Sequence, residues 1–395
     1  MLEYAGSQRA GRREREALHL LAVVRSFDWI LVIGLAALLV VGLWGIGGVT
    51  SHDVAGPHYY LNRQILYAAI GALVLIAAAL VDPDLYRRYW RVILGGTVSL
   101  IAVVSVVGHS VNGATRVIGL GGFFTFQPSE FGKLLVVLAL AGLLAERQSA
   151  IGEWRTTLRV LVFGAVPTLL VFIQPDLGTA LVYVAALVAM LFVAGAPWRH
   201  LATLGAIAVF LVASVLWIGP AVGVQFLHGY QQARLTCFLD SSKCSDAQGY
   251  NQKQSQITVG AGQLRGVGPN GSSQVNGGFL PEYKTDFAFA SYAEQRGFVG
   301  AVILLALYLL VLWRGLRVVT VARDLFSAAV AGGIVLALFF QIFVNVGMTM
   351  GIAPITGIPL PFVSVGGSAM IANLAAMGVL LAIHARGRAS RRRRA

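Results

Sequence analysis

The chain of 395 residues is 57% hydrophobic and only 12% charged, whereas soluble domains carry about 25% charged residues. This composition excludes an ordinary soluble protein and indicates an integral membrane protein. The net charge of +13 would suggest nucleic-acid binding in a soluble chain, but in a membrane protein the placement of the charges is more informative.

The predicted elements begin with residues 1–26, a polar and basic arm. Residues 27–385 form a transmembrane domain with a long polar loop at 220–286, and residues 386–395 form a basic tail. A helix needs roughly 20 apolar residues to cross a hydrocarbon core of about 30 Å. The sequence therefore predicts an all-α polytopic membrane protein with about ten transmembrane helices, near residues 27–47, 61–81, 90–109, 130–145, 157–173, 178–195, 200–219, 287–312, 325–345 and 366–385.

The basic residues predict the orientation of these helices. An even number of spans puts both termini on one side of the membrane, and 21 of the 30 Lys and Arg residues then fall on that side. The positive-inside rule predicts that both termini are cytoplasmic and that the loop 220–286, between spans seven and eight, is extracytoplasmic. The arginine run at 391–394 suits orientation or contact with anionic lipid rather than nucleic-acid binding.

The long loop carries the two cysteines of the chain, Cys237 and Cys244. An oxidising outer compartment would permit a disulfide between them, and two free thiols are an equal alternative. The stretch GVGPNG at 266–271 matches the glycine pattern of dinucleotide sites. It lacks the strand and helix that such a site requires, so no nucleotide binding is predicted.

Four motifs with proline interrupt the apolar pattern, and span counting places all of them at the outer side. They are FQPSEFGK at 126–133, QPDLGT at 174–179, LPEYKTDF at 280–287 and ITGIPLPFVSVGGS at 355–368. Irregular backbone at membrane depth is tolerated only where it is buried in protein or lines a water-filled cavity. The motifs therefore predict one composite cleft.

Six charged residues fall in the same region: Arg63, Arg116, Glu130, Lys133, Lys284 and Asp286. A charge at the bilayer centre costs about 2.5 kcal/mol or more, so such residues usually pair or line a substrate path. Glu130 and Lys133 are three residues apart and are predicted to form a salt bridge on one helix face, either structural or part of the site. The two arginines suit bidentate binding of phosphate, with snorkelling to the interface as the alternative.

Asp286 is the predicted general base. Its apolar flanks in TDFAF would desolvate the carboxylate and raise its pKa, which suits proton removal from a hydroxyl. The alternative is that it caps span eight. The other acidic residues of the loop, Asp240, Asp246 and Glu282, suit a solvated surface, and His109, His228 and His384 lack metal-ligand spacing, so no resident metal is predicted.

The motifs resemble those of the SEDS family, which includes RodA, FtsW and SpoVE. VNGATR, FQPSEFGK, QPDLGT, LPEYKTDFAFASYAEQRGFVG and NVGMTMGIAPITGIPLPFVSVGGS occur in the family's order, and the similarity runs from about residue 27 to 385. The resemblance implies a ten-span fold and a peptidoglycan glycosyltransferase in the bacterial cytoplasmic membrane. Such an enzyme polymerises lipid II at the outer face and releases undecaprenyl pyrophosphate. The form ITGIPLPF is more similar to the elongation-type RodA branch than to the division-type FtsW branch.

The resemblance also implies roles for individual residues. Asp286 matches the essential aspartate of the family, Glu130 and Lys133 match its polar pair, and Arg63 and Arg116 match arginines that line the cavity. Arg63, Arg116, Glu130, Lys133 and Lys284 are therefore predicted to bind substrate or pyrophosphate. Val117 and Val365 depart from the usual family residues without removing a charge.

The implied partners are lipid II, undecaprenyl-linked glycan and a class B penicillin-binding protein, which would supply transpeptidation. A divalent cation, Mg²⁺ or Mn²⁺, could share the charge of the pyrophosphate. Two other functions stay open: a lipid II flippase, because intramembrane charges and broken helices also describe transport paths, and a scaffold for a wall synthase.

Overall fold

The structure is a computed structural model that describes residues 24–111, 114–120, 124–214 and 246–394. Most of the predicted N-terminal arm and both cysteines, Cys237 and Cys244, lie outside the described residues. So do Asp240 and His228.

The elements follow in this order: α1 (Trp29–Val49), α2 (Tyr59–Leu80), α3 (Pro83–Arg88), α4 (Trp90–Val107), β1 (His109–Val111), β2 (Ala114–Leu120), β3 (Phe124–Phe126), α5 (Pro128–Glu146), α6 (Trp154–Ile173), α7 (Leu177–Val193), α8 (Trp198–Ala213), α9 (Asp246–Ala261), α10 (Gly268–Gly271), α11 (Ser273–Asn276), α12 (Ala288–Val321), α13 (Leu325–Thr349) and α14 (Gly367–Arg394). A short 3₁₀ turn lies at Gln148–Ala150.

The predicted polytopic helical fold is confirmed. Among the described residues, seven helices are long and apolar enough to cross a membrane, namely α1, α2, α5, α6, α12, α13 and α14. The helices α4, α7 and α8 are shorter apolar helices that coincide with the other three predicted spans. The count of ten spans therefore stays a prediction. The helices α12 and α14 also run past the predicted ends at residues 312 and 385.

A small antiparallel sheet, ordered β1-β2-β3, differs from the all-α prediction. His109 pairs with Val117, and Ile118 pairs with Phe126. The β-branched residues Thr115, Val117 and Ile118 favour a strand in this short stretch between α4 and α5. The sheet matters for function because β3 leads directly into α5 and the FQPSEFGK motif.

The long helix α12 is interrupted at Gly297, where φ is 66° and ψ is −169°. The amides that follow the break find acceptors in the segment after α9, a helix in the predicted loop. The Phe298 N–H donates to the Gln263 carbonyl at 2.8 Å, and the Val299 N–H donates to the Leu264 carbonyl at 3.1 Å. The break is thereby satisfied by protein, which is the condition for irregular backbone near membrane depth.

The helices α5, α13 and α14 form the centre of the bundle, since most of their side chains are buried, whereas α2 and α6 expose more of their apolar surface. Small residues allow membrane helices to approach closely. At Gly378 of α14, an added Cβ would lie 2.3 Å from the Leu75 carbonyl oxygen of α2. This close approach packs the middle of α14 against the second half of α2.

The two ends of the bundle differ in chemistry. At one end, which we call the cavity end, the N-termini of α5, α7, α12 and α14 surround a polar cavity. Near the N-terminus of α1, at the opposite end, Arg314 of α12 forms a buried ion pair with Asp28, with Nη2 2.6 Å from Oδ2. Asp28 also accepts the Leu31 N–H and so caps α1. This pair ties α1 to α12 away from the cavity.

Candidate active site

The four proline motifs meet in one open cavity with about 650 Å³ of empty volume. The predicted convergence is therefore confirmed. The cavity is lined by Thr125, Gln127, Glu130, Asp176, Thr179, Thr285, Asp286, Gly357, Pro359, Val365, Gly366, Gly367, Ser368 and Ala369. Each motif contributes at least two of these residues.

Asp286 lies half-buried at the wall of this cavity, immediately before the buried Phe287. The capping position of α12 is Phe287, so Asp286 is not the N-cap residue. The Asp286 carbonyl accepts a hydrogen bond from the Asn345 side-chain amide at 2.9 Å. The same amide donates to the Ile358 carbonyl at 2.7 Å. Asn345 of α13 thus joins the TDF and GIPLPF motifs through their backbones.

The residues before Asp286 are held by the segment that leads into α14. The Ser364 hydroxyl donates to the Thr285 carbonyl at 2.5 Å and accepts the Leu360 N–H at 2.8 Å. The Val365 N–H donates to the Lys284 carbonyl at 2.9 Å. Three consecutive carbonyls, at residues 284, 285 and 286, therefore have defined donors.

Glu130 and Lys133 form the predicted salt bridge. Lys133 Nζ lies 2.7 Å from Glu130 Oε2, and the side chains are 10% and 3% exposed, respectively. Lys133 also lies 3.4 Å from Gln341 Oε1 of α13. Glu130 lines the cavity of Asp286, whereas Lys133 lines a second cavity between α5, α13 and α14 that also contains Asn373. The ammonium therefore neutralises Glu130 from the interior of the bundle.

A polar network that sequence reasoning missed also lines the cavity. Asp176 caps α7, because Oδ1 accepts the Thr179 N–H at 3.1 Å, and its Oδ2 accepts from the Gln127 side-chain amide at 3.2 Å. The Gln127 N–H in turn donates to the Ser368 hydroxyl at 2.9 Å. Both Asp176 and Gln127 lie in proline motifs that were predicted to line the cleft. Membership of these motifs was the sequence signal that could have identified them as site residues.

The N-termini of four helices supply positive potential to the cavity. The first amides of a helix lack acceptors within it, and the aligned peptide dipoles place roughly half a positive charge at this end. Residues Gly367, Ser368 and Ala369 at the start of α14 lie in the lining. Such an end favours phosphate groups, so the cavity combines carboxylates with an environment suited to a diphosphate.

The structure places Lys284 outside the lining of this cavity. Its ammonium lies 3.0 Å from Asp53 Oδ2 and 2.9 Å from the Tyr60 hydroxyl. These partners belong to the connection between α1 and α2 and to the first turn of α2. Lys284 thus contacts a different part of the protein from the pyrophosphate site predicted for it.

The two predicted arginines lie in elements beside the cavity. Arg63 of α2 is half-buried, donates to the Tyr59 hydroxyl and lies over the Tyr59 ring, 5.1 Å from its centroid. It is not among the described lining residues. Arg116 lies in β2, and its side chain lies outside what the structure describes.

The carboxylates of the cavity already have structural partners. Glu130 is paired with Lys133, and Asp176 caps α7. Within the described ranges, no group of three His, Cys, Asp or Glu residues is arranged to hold one metal ion. The described residues of the cavity therefore do not form a binding site for a resident metal ion.

The apolar helical bundle with a polar cavity at one end defines a multi-pass membrane protein. A family model described as "Cell cycle protein", for FtsW, RodA and SpoVE, matches residues 25–389. The chain belongs to this FtsW/RodA/SpoVE family.

Named relatives cover nearly the whole chain. It is 37% identical to the peptidoglycan glycosyltransferase MrdB of Escherichia coli K12 over 350 residues, which are 89% of this chain and 91% of that protein. It is 35% identical to stage V sporulation protein E of Bacillus subtilis 168 over 363 residues, covering 90% and 96%.

Solved structures are similar over the same length. A chain from a peptidoglycan synthase complex, described as coordinating polymerization and crosslinking, superposes with a TM-score of 0.77 at 31% identity and covers 91% of this chain and 98% of that one. The rod shape determining protein RodA of Thermus thermophilus gives a TM-score of 0.66 at 29% identity, covering 91% and 96%.

Proposed function

We propose that this protein is a peptidoglycan glycosyltransferase that polymerises lipid II into glycan strands and releases undecaprenyl pyrophosphate. Its family and the activity in the names of its relatives support the reaction class. The observation that carries the assignment to a site is the single cavity in which all four proline motifs meet beside the half-buried Asp286.

In this proposal the cavity end faces the outside of the bacterial cytoplasmic membrane, and both termini are cytoplasmic. The excess of Lys and Arg at the opposite end supports this orientation. The lipid carriers hold donor and acceptor in the bilayer and present their head groups to the cavity. Because both substrates are already held in the membrane, the entropy cost of bringing them together is reduced.

Asp286 acts as the general base. It takes the proton of the acceptor hydroxyl while that oxygen forms a bond to the anomeric carbon of the donor sugar. The bond between this carbon and the pyrophosphate oxygen breaks, and undecaprenyl pyrophosphate leaves with the electron pair. A positioned base typically accelerates such a step about 10² to 10⁴-fold.

The charge that develops on the leaving diphosphate needs positive partners at the site. The helix N-termini in the lining support this role, as do the positions of Arg63 in α2 and Arg116 in β2, beside the cavity. Lys133 neutralises Glu130 and so keeps this cavity carboxylate from repelling the diphosphate. A divalent cation that arrives bound to the substrate would share the same charge.

We further propose an elongation role with a class B penicillin-binding protein as partner. Similarity to a chain from a synthase complex that couples polymerization with crosslinking supports the partner, and similarity to RodA supports the elongation branch over the FtsW-type division branch.

The test is polymerisation of lipid II by the purified protein. Asp286→Asn removes the base with little change in shape, so we expect glycan synthesis to fall about 10² to 10⁴-fold with unchanged thermal stability. Glu282→Gln is the matched control, because Glu282 is an exposed acid of the same loop outside the cavity lining. Normal polymerisation by Asp286→Asn would show that another group is the base.

A lipid II transporter is the second candidate function. The observation that favours it is the second cavity, where Lys133, Gln341 and Asn373 extend polar groups into the bundle. A vesicle assay separates the two functions: glycan product from added lipid II without movement of lipid II between leaflets supports the enzyme, and movement without product supports the transporter.

A further inference from the structure

A cluster of four side chains beside the cavity has no role in the chemistry described above. We call it the Asp53 clamp; its members are Asp53, Tyr60, Tyr283 and Lys284. Lys284 Nζ donates to Asp53 Oδ2 at 3.0 Å and to the Tyr60 hydroxyl at 2.9 Å, and the Tyr283 hydroxyl donates to the same oxygen of Asp53. The ammonium also lies 4.0 Å from the centroid of the Tyr60 ring.

The Asp53 clamp joins segments that are far apart in the chain. Asp53 lies between α1 and α2, Tyr60 lies in the first turn of α2, and Tyr283 and Lys284 lie in the LPEYKTDF motif. The carboxylate of Asp53 accepts two side-chain donors from this motif and one backbone N–H, from Ala55 at 3.0 Å. One side chain from the first connection of the bundle therefore holds two consecutive residues of the catalytic motif.

The ions of the clamp are sheltered enough for these contacts to be strong. The Asp53 and Lys284 side chains are only 8% and 25% exposed, and hydrogen bonds between charged groups strengthen as water is excluded. Burial lowers the pKa of Lys284, but hydrogen bonds with Tyr60 and Asp53 outweigh this effect and the pKa is raised. Burial raises the pKa of Asp53, but the hydrogen bonds from Tyr283, Ala55 and Lys284 outweigh it and the pKa is lowered. Both ions therefore persist at neutral pH.

The side chain of Lys284 and the backbone of Asp286 are held from different directions. The carbonyls of residues 284 to 286 accept hydrogen bonds from Val365, Ser364 and Asn345. These donors come from the segment before α14 and from α13. The Asp53 clamp adds attachment to the connection between α1 and α2, two residues before Asp286. Together the two sets of contacts restrict the turn that sets the direction of the carboxylate.

We propose that Asp53 is a positioning residue for Asp286 and acts through Lys284 and Tyr283. This inference rests on the proposed role of Asp286 as the base. In this arrangement Lys284 is a tether, and the pyrophosphate is bound elsewhere. A misplacement of about 1 Å can lower a rate about 10²-fold, so loss of the clamp lowers kcat and leaves substrate binding largely intact.

The experiment measures kcat and KM for lipid II with the purified full-length protein. For Asp53→Asn and Lys284→Met we expect kcat to fall about 10 to 100-fold, with KM within about twofold of the unsubstituted protein. The double variant should be no slower than the slower single variant, because both changes open the same clamp. Asp53→Glu, which retains the carboxylate, should recover part of the lost kcat. Glu282→Gln, an exposed acid of the same loop, should keep its full kcat.

Several results would overturn the proposal. An unchanged kcat in Asp53→Asn, or losses in the two single variants that multiply in the double variant, would show that the clamp does not position the base. A raised KM with unchanged kcat in Lys284→Met would assign Lys284 to substrate binding instead. If Asp53→Asn does not fold, Tyr283→Phe removes a single hydroxyl from the clamp. A loss of roughly 3 to 10-fold in kcat there supports the proposal, and an unchanged kcat refutes it.

Asp286→Asn, measured in parallel, separates this proposal from the proposed function. An inactive Asp286→Asn with a fully active Asp53→Asn rejects the positioning role alone. An active Asp286→Asn rejects the base assignment, and the positioning role is rejected with it.

Discussion

At the scale of single residues, hydrogen bonds from uncharged groups fix the backbone around Asp286. Asn345 is fully buried in α13 and donates to the carbonyls of both Asp286 and Ile358. A general base must lie within hydrogen-bond reach of the proton that it accepts, so its backbone must be placed before its pKa matters. Uncharged residues of the motifs therefore position the backbone of the site through hydrogen bonds.

We predict that the pair of Glu130 and Lys133 is needed both for stability and for activity, and that the two requirements can be separated by mutation. Glu130→Gln leaves a nearly buried ammonium without its counter-ion, which typically costs about 3–5 kcal/mol. Replacing both residues, as Glu130→Gln with Lys133→Met, removes the unpaired charge. We therefore expect the double variant to unfold at a higher temperature than Glu130→Gln and still to lack most polymerisation.

Thermal unfolding in detergent and lipid II polymerisation, measured on both single variants and the double variant, check this expectation. Full activity in the double variant would show that the pair is only structural. A double variant that is less stable than both single variants would contradict the assumed ion pair.

At the scale of elements, α12 depends on the break at Gly297 for its connection to the segment after α9. An added Cβ at Gly297 would lie 2.3 Å from the Gly266 nitrogen, and the positive φ is strained for any other residue. We expect Gly297→Ala to lower thermal stability and activity together, because the break lies on the helix that follows Asp286.

The matched control for this element is Gly96→Ala in α4. No atom lies within 4 Å of a Cβ added at Gly96, which is exposed on an apolar helix. Alanine is favoured over glycine inside helices by about 1 kcal/mol, so this variant should be at least as stable as the unsubstituted protein. Equal loss of stability in both variants would argue against the special role of the break.

The elements also show where sequence patterns reach their limit. Apolar runs of about 20 residues located the helices of the bundle, because length and hydropathy are local properties. The break in α12 could not be predicted, since the chain has 46 glycines and the close approach of Gly266 to Gly297 arises from tertiary packing. The helix α9 was likewise read as loop, because its contacts with α12 and α13 come from distant parts of the chain.

At the scale of the whole molecule, the orientation in the membrane is a prediction that labelling can test. Val54, between α1 and α2, is exposed at the cavity end, and Ser149, between α5 and α6, is exposed at the opposite end. In a background with Cys237→Ser and Cys244→Ser, a membrane-impermeant maleimide should label Val54→Cys in intact cells. Ser149→Cys should react only after the membrane is opened.

The reverse pattern of labelling would place the cavity in the cytoplasm and contradict polymerisation at the outer face. The control is equal labelling of both variants in detergent, which shows that each cysteine is reactive.

The sequence by itself determined the membrane class, the approximate helices, the family resemblance and the motifs that form the site. These follow from composition, from hydropathy and from the order of short motifs along the chain. It also predicted the Glu130–Lys133 pair, because residues three apart share a helix face. Only the tertiary structure decided that Asp176 and Gln127 share the cavity with Asp286, and that Lys284 binds Asp53 instead of lining it. Residues 53 and 284 come into contact only through the packing of the bundle. A contact between such distant segments produces no local sequence pattern, so it could not be predicted from the sequence.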